Sequence, residues 1–181
     1  MAAQLPPIST LQTLPQESQI AVLSTLFEPS KDLQALTLPL PFSQSYEDLI
    51  TSIGGTLNSL AAAADAASSS AAQAILHRIL GSHPRLGAKK VDSAQSRAEQ
   101  AQLSKGNDPT ESERLATLNR EYEDRFPGLR YVVFVNGRGR DIVMEDMRRR
   151  IERGDIRAEE REAMQAMTDI ALDRARKLGA T

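Results

Sequence analysis

Two short segments near the middle of the chain carry residue types that could transfer protons. Gly81-Ser82-His83-Pro84 places one of only two histidines at the end of a predicted helix, and the proline biases this histidine toward an extended backbone. Ser96, Glu99 and Gln100 follow at spacings of three and four, so they share one face of the next predicted helix. A carboxylate that orients an imidazole, beside neutral hydrogen-bonding groups, could perform acid–base chemistry without a metal.

Each of these residues also has a purely structural interpretation. A histidine at a helix end can complement the helix dipole, and an isolated glutamate, serine or glutamine on a helix usually faces solvent. The other histidine, His77, has no comparable neighbours in the sequence and is predicted to be a solvated helix residue. A catalytic role for His83 therefore predicts that its ring and the Glu99 carboxylate lie within hydrogen-bonding distance.

Arg174 is a further candidate, on the predicted last helix. Met167, Ile170 and Ala171 form an apolar stripe on this helix, and position 174 falls on the same stripe. A guanidinium that points at the core needs an anionic partner. The pattern leaves two alternatives: Arg174 points inward toward an anion, or it extends outward and complements the helix C-terminus.

Composition argues against several classes of function. The 181 residues suit one domain, and a net charge of −2 gives no field that favours nucleic acid or an anionic membrane. No apolar run is long enough to span a bilayer. The absence of cysteine excludes thiolate catalysis and disulfides, and two histidines make a protein-built metal site unexpected. The arginines within 138–140 and 148–150 are flanked by acids and are predicted to lie on a solvated surface.

Hydrophobic periodicity predicts an all-α fold, a compact single-domain helical bundle over residues 15–181. Residues 1–14 are predicted to be an arm, residues 30–45 irregular, and the Ala/Ser-rich residues 57–70 a possible flexible insertion. Residues 129–135 are the only strongly β-prone run, and we expect one short buried extended segment there because the run is too isolated to build a sheet. The predicted helices cover about residues 15–28, 46–53, 74–80, 93–105, 110–126, 141–154 and 155–178.

Taken in order, these segments resemble a known family, the 2-oxo-4-hydroxy-4-carboxy-5-ureidoimidazoline (OHCU) decarboxylases. Four segments of this chain are similar to the family's signature, and they occur in the same order. They are His83-Pro84-Arg85-Leu86-Gly87, Ser96 to Gln100, Tyr131 to Gly137, and Ile170 to Arg174. The resemblance covers roughly the last hundred residues and extends more weakly toward Pro15.

The resemblance implies an enzyme of uric acid degradation that releases CO₂ from OHCU and forms (S)-allantoin, without a cofactor or metal. It implies that His83 and Glu99 are the catalytic residues, His83 transferring protons and Glu99 orienting its ring. It also implies that Arg174 meets the substrate carboxylate. Further contacts with the substrate are expected from Pro84, Ser96, Gln100, Val132, Val133 and Phe134.

The resemblance further implies a homodimer whose ligand is a small ureido-imidazoline, and the charge argues against nucleic-acid and membrane partners. The C-terminal residues do not match the Ser-Lys-Leu peroxisomal signal, so a cytoplasmic location is expected, with the peroxisome as the alternative. Two other functions fit the same residues. One is a helical binding module without turnover, and the other is a different cofactor-free lyase or hydrolase that acts on a ureido compound.

Overall fold

The computed structural model describes residues 4–66, 70–88, 93–103 and 109–180, and within these ranges the chain forms nine helices and no β-strand. The prediction of an all-α fold is confirmed. None of these helices is both long enough and apolar enough to cross a lipid bilayer. In chain order they are α1 (Ile8–Leu11), α2 (Gln16–Phe27), α3 (Lys31–Thr37), α4 (Tyr46–Ala66), α5 (Ser70–Leu80), α6 (Ala94–Leu103), α7 (Pro109–Arg125), α8 (Arg140–Arg153) and α9 (Ile156–Lys177).

The core is built around the two longest helices, α4 and α9, which pack against each other. α5 lies against α4, α2 lies against α9, and α7 pairs with α8. Gly54 on α4 allows close approach, because a Cβ atom there would lie 3.1 Å from Thr168 Oγ1 on α9. A side chain at position 54 would therefore push the two central helices apart.

The prediction that a short helix ends at residue 53 is wrong. α4 continues through Gly54 and Gly55 to Ala66, because Ile53 and Leu57 continue one buried stripe across the glycine pair. Burial of each such side chain contributes about 2 kcal/mol, which outweighs the cost of about 1 kcal/mol for each glycine in a helix. Within the possible flexible insertion predicted for residues 57–70, residues 57–66 and 70 are helical, and residues 67–69 lie outside the described residues.

Two N-terminal segments are also more regular than predicted. The segment 30–45 contains α3, whose cap is Ser30: its Oγ accepts a hydrogen bond from the N–H of Leu33 at 3.3 Å. In the predicted arm, Ile8–Leu11 form a short helix, and Leu11 is buried in the core. The prolines of both segments obscured these short helices in the sequence.

The buried, non-helical segment predicted at about 129–135 is present between α7 and α8. It is held by Arg150 of α8, whose Nη1 donates to the Val132 carbonyl at 3.2 Å and whose guanidinium lies 4.7 Å from the centre of the Tyr131 ring. The charge of Arg150 is balanced by Glu159, with Nε donating to Oε2 at 2.9 Å. This buried ion pair fixes the backbone that forms one wall of the cavity described next.

Candidate active site

A cavity of about 240 Å³ lies between the loop after α5, helix α6, the segment 131–137 and helix α9. This volume suits a small metabolite. Arg174 does not line the cavity and lies in the core. The other site residues predicted from the sequence all do, namely His83, Pro84, Ser96, Glu99, Gln100, Val132, Val133 and Phe134.

His83 is placed on the cavity wall by the turn that ends α5. The hydroxyl of Ser82 donates to the Ile79 carbonyl at 2.7 Å, which closes this turn. Arg130 Nη1 donates to the main-chain carbonyl of His83 at 3.4 Å. The His83 ring is buried, and its Nε2 has no hydrogen-bond partner among the described residues. A bound molecule can therefore satisfy this buried side-chain atom through a new hydrogen bond.

The surroundings of His83 keep its imidazole neutral near pH 7. Burial, helped by the positive charge of Arg174, lowers the pKa of His83 to about 4, while the negative charge of Glu28 acts in the opposite direction. A neutral imidazole can accept a proton. Once protonated in this environment, it is a stronger acid than an ordinary imidazolium and gives the proton up readily.

Arg174 extends from α9 into the core, where all five of its N–H groups have acceptors. Its Nε donates to Glu99 Oε1 at 2.7 Å, and its Nη2 donates to Glu99 Oε2 at 2.9 Å. The same Nη2 lies 2.7 Å from Glu28 Oε1. Nη1 donates to the carbonyls of Thr25 and Leu26, at 3.2 and 3.4 Å, in the last turn of α2. One guanidinium thus joins α2, α6 and α9.

The hydrogen bond predicted between His83 and Glu99 is not formed between these two described residues. Both carboxylate oxygens of Glu99 bind Arg174 instead. A buried guanidinium depends on a counter-charge far more strongly than a neutral imidazole does, so it takes the carboxylate. Of the two alternatives for Arg174, the inward one is observed. A direct contact between Arg174 and a substrate carboxylate would require Glu99 or Glu28 to release it.

Ser96 and Gln100 line the cavity but bind protein groups in this structure. The Ser96 hydroxyl donates to Glu28 at 2.6 Å and accepts from Arg174 Nη2 at 3.0 Å. Gln100 accepts from the N–H of Gly87 at 3.0 Å and donates to the Arg85 carbonyl at 3.1 Å. Gln100 therefore ties α6 to the turn that follows His83 and Pro84.

Glu28, which follows α2, is a site residue that the sequence interpretation missed. Only 3% of its surface is exposed. Its backbone has φ 70° and ψ 156°, a region that is almost exclusive to glycine and costs a glutamate about 1–3 kcal/mol. The contacts with Ser96 and Arg174 offset this cost. The sequence gives no signal for it, because the residue before a proline is expected to be extended with negative φ.

The opposite wall of the cavity presents main-chain groups. The carbonyls of Val132, Phe134 and Val135 accept hydrogen bonds from Arg150 and Arg138. By contrast, the N–H groups of residues 132–136 have no acceptor within the described part of the chain. These donors can bind carbonyl or carboxylate oxygens of a ligand.

Helix α9 contributes two charged residues to the mouth of the cavity that the sequence interpretation also missed. Asp173 and Lys177 line the cavity and form an ion pair, with Lys177 Nζ 2.5 Å from Asp173 Oδ2. A signal for them existed, since Ile170, Asp173 and Lys177 are spaced by three and four residues and so share a face of the last helix.

His77 is not the solvated residue that the sequence suggested. Its side chain is 12% exposed, and its Nε2 lies 2.7 Å from Glu160 Oε1, away from the cavity. As for metals, the described ranges contain no group of three or more His, Cys, Asp or Glu side chains arranged to hold an ion.

The burial of His83 should make the stability of the protein depend on pH. The unfolded imidazole protonates near pH 6.5 but the folded one only near pH 4, so between these values the unfolded state binds more protons. The free energy of unfolding should therefore fall as the pH is lowered from 7 to 5, with His83 contributing about 2 kcal/mol of the loss. Urea denaturation of the wild type and His83→Asn at both pH values measures this. Equal losses in the two proteins would contradict it.

Loss of the Glu28 charge should destabilise the fold. Glu28→Gln removes one of the two carboxylates that face the buried Arg174 guanidinium and should lower the free energy of unfolding by about 1–3 kcal/mol, since Glu99 still pairs with the guanidinium. Glu121→Gln, at an exposed position of α7, is the matched control and should change it by less than about 0.5 kcal/mol. Urea denaturation at pH 7 compares them, and an equally small effect at both positions would show that Glu28 is not needed to balance Arg174.

Comparisons with known proteins give a family and a fold. One of the similar solved structures is described as the crystal structure of (S)-allantoin synthase, with a TM-score of 0.63, 18% sequence identity, and coverage of 96% of this chain and 54% of that chain. The chain thus spans about half the length of that protein. No curated protein sequence matches the chain. The sequence model of the OHCU decarboxylase family matches residues 12–176, and this match over most of the chain establishes that the protein belongs to the OHCU decarboxylase family.

Proposed function

We propose that this protein is a cofactor-independent carboxy-lyase that converts OHCU to (S)-allantoin and CO₂ in uric acid degradation. Membership of the OHCU decarboxylase family supports the reaction. The observation that carries the proposal is the buried imidazole of His83, which lines the cavity, has a pKa of about 4, and has no hydrogen-bond partner for its Nε2 in the part of the chain that the structure describes.

The substrate supplies its own electron sink. In OHCU the ring carbon C4 carries the hydroxyl and the carboxylate, and the neighbouring C5 carries the ureido group and a double bond to a ring nitrogen. When the bond between C4 and the carboxylate breaks, its electron pair moves toward C5 and that nitrogen, and CO₂ leaves. The C4 hydroxyl then loses its proton to become a carbonyl, and C5 gains a proton. The ring nitrogen that received the electron pair takes up one proton from solvent, which gives neutral allantoin.

His83 is suited to move a proton from the hydroxyl group on C4 to the carbon C5. As a neutral base, it can accept the proton of the C4 hydroxyl. The resulting imidazolium is strongly acidic because the site is buried and Arg174 is nearby, so it can return the proton to C5. With His83 on one wall of the cavity and residues 132–134 on another, C5 receives the proton from the His83 side, which would fix the S configuration.

The remaining site residues hold this geometry. Glu99 and Glu28 keep Arg174 in place near His83, and Gln100 fixes the turn after Pro84. The N–H groups of the segment around Val132, Val133 and Phe134 bind oxygens of the heterocycle. Holding the substrate in one orientation keeps C5 within reach of the proton carried by His83.

We further propose that the protein acts as a homodimer, which the family resemblance supports. In this homodimer each subunit binds the small ureido-imidazoline substrate in its own cavity. A cytoplasmic location stays a prediction from the sequence.

Freshly generated OHCU should be converted to optically active allantoin, followed by circular dichroism because the spontaneous reaction gives a racemate. His83→Asn and His83→Ala should lower kcat at least about 100-fold while the far-ultraviolet spectrum stays unchanged, since general acid–base catalysis contributes about 10²–10⁴. His77→Asn, which changes the histidine outside the cavity, is the control and should keep turnover. A wild-type protein that gives only racemate at the spontaneous rate would refute the proposal and favour a binding module or another ureido lyase or hydrolase.

The pH dependence of kcat/KM should report the unusual pKa of His83. Because the neutral imidazole is the active form, kcat/KM should be level from pH 7 down to about pH 5 and fall about tenfold per pH unit below about pH 4. Stopped-flow assays with short exposure to acid measure this profile before unfolding. A half-maximal value near pH 6.5 would show that His83 is solvated or that another group carries the proton.

A further inference from the structure

The proposed reaction needs a partner for the substrate carboxylate, and the interior of the site does not provide a free cation. Glu28, Glu99 and Arg174 together carry a net charge of −1, and His83 is neutral near pH 7. Every N–H group of Arg174 already has an acceptor in the protein. The net negative charge of Glu28, Glu99 and Arg174 therefore repels a carboxylate that enters the cavity.

Lys177 is the only lysine or arginine that lines the cavity in the described part of the chain. It lies in the last turn of α9, and among the described residues it forms an ion pair only with Asp173, one turn earlier on the same helix. The Lys177 side chain is 55% exposed and that of Asp173 25% exposed. The ammonium is therefore at the mouth of the cavity, on a long and mobile stem.

The two ion pairs on α9 differ greatly in how readily they exchange partners. Separating Arg174 from Glu99 and Glu28 would leave uncompensated charges in a buried site, which is strongly unfavourable. Separating Lys177 from Asp173 exposes both groups to water, which solvates them well, so the exchange costs little. An arriving carboxylate can thus replace Asp173 but does not easily replace Glu99.

We propose that Lys177 binds the carboxylate of the incoming substrate, exchanging Asp173 for it at the mouth of the cavity. This inference rests on the proposed function, which supplies an anionic substrate. A loosely held ammonium also suits the chemistry, because the carboxylate loses its charge as CO₂ forms. A rigid, fully buried ion pair with the carboxylate would stabilise the ground state more than the transition state and would slow the reaction.

A purely structural role for Lys177 makes a different prediction. A lysine in the last turn of a helix complements the helix dipole and pairs with an aspartate four residues earlier. In that case its replacement would change stability slightly and leave the kinetics unchanged. Arg176 provides the matched control for this role, because it is exposed, lies in the same turn and does not line the candidate active-site cavity.

The test compares steady-state kinetics of wild type, Lys177→Met, Lys177→Arg and Arg176→Met with freshly generated OHCU. Lys177→Met should raise KM about tenfold and change kcat less than about twofold, whereas Lys177→Arg and Arg176→Met should stay within about twofold of wild type. Raising the salt concentration should increase KM more in wild type than in Lys177→Met. Salt screens the attraction between the Lys177 ammonium and the substrate carboxylate, and the methionine variant lacks this attraction. An unchanged KM in Lys177→Met, or an equal rise in Arg176→Met, would overturn the inference.

A binding experiment separates failure of this inference from failure of the proposed function. Calorimetric titration with diureidoacetate, a ureido carboxylate, and with neutral allantoin gives an affinity ratio that needs no turnover. The ratio should favour the anion in wild type and fall about tenfold in Lys177→Met, even if OHCU proves not to be a substrate. The same ratio in both proteins, or no preference for the anion in wild type, would overturn the role of Lys177.

Discussion

The buried charge of Arg174 is the constraint on which the site depends. A guanidinium in the core requires counter-charges, and the chain supplies them from α6 through Glu99 and from the end of α2 through Glu28. Three helices that are far apart in sequence are thereby joined at one point. Burial is the main reason why the pKa of His83 is low, and the charge of Arg174 lowers it further. Arg174 thus both joins these helices and makes the protonated form of the proposed proton carrier more acidic.

A second buried arginine, Arg150, also needs a counter-charge, and it fixes the wall of the cavity formed by the segment around Val132. Arg150 balances its charge with Glu159 and uses one remaining donor on the carbonyl of Val132. A segment without helix or sheet pairing would otherwise be poorly fixed. The outcome is a wall in which three carbonyls bind arginines, while the N–H groups of residues 132–136 have no acceptor among the described residues. Both walls therefore owe their form to ion pairs rather than to apolar packing alone.

The sequence predicts the helical class, most helix ends and about half of the residues that line the cavity, because these follow from periodicity, capping residues and recognisable segments. The sequence does not predict which side chains of the site form hydrogen bonds and ion pairs with one another. Glu99 could have faced either His83 or Arg174, and only the three-dimensional competition between a cation and a neutral ring decides this. Glu28 could not be found at all, since its positive φ contradicts what a glutamate before proline normally adopts. Asp173 and Lys177 could have been predicted from their helical spacing with Ile170, but in the sequence they resemble ordinary surface charges.

Helix α6 is attached to the protein in an unusual way, and this has a consequence for motion. In residues 94–101 no apolar side chain is buried, and Ser96, Glu99 and Gln100 tie this part of the helix to the rest of the fold through polar bonds. Segments with few apolar contacts open at a lower free energy than the core around them. The amides of α6 should therefore exchange with deuterium through local opening, well before those of α4 and α9, and each opening would uncover one side of the cavity.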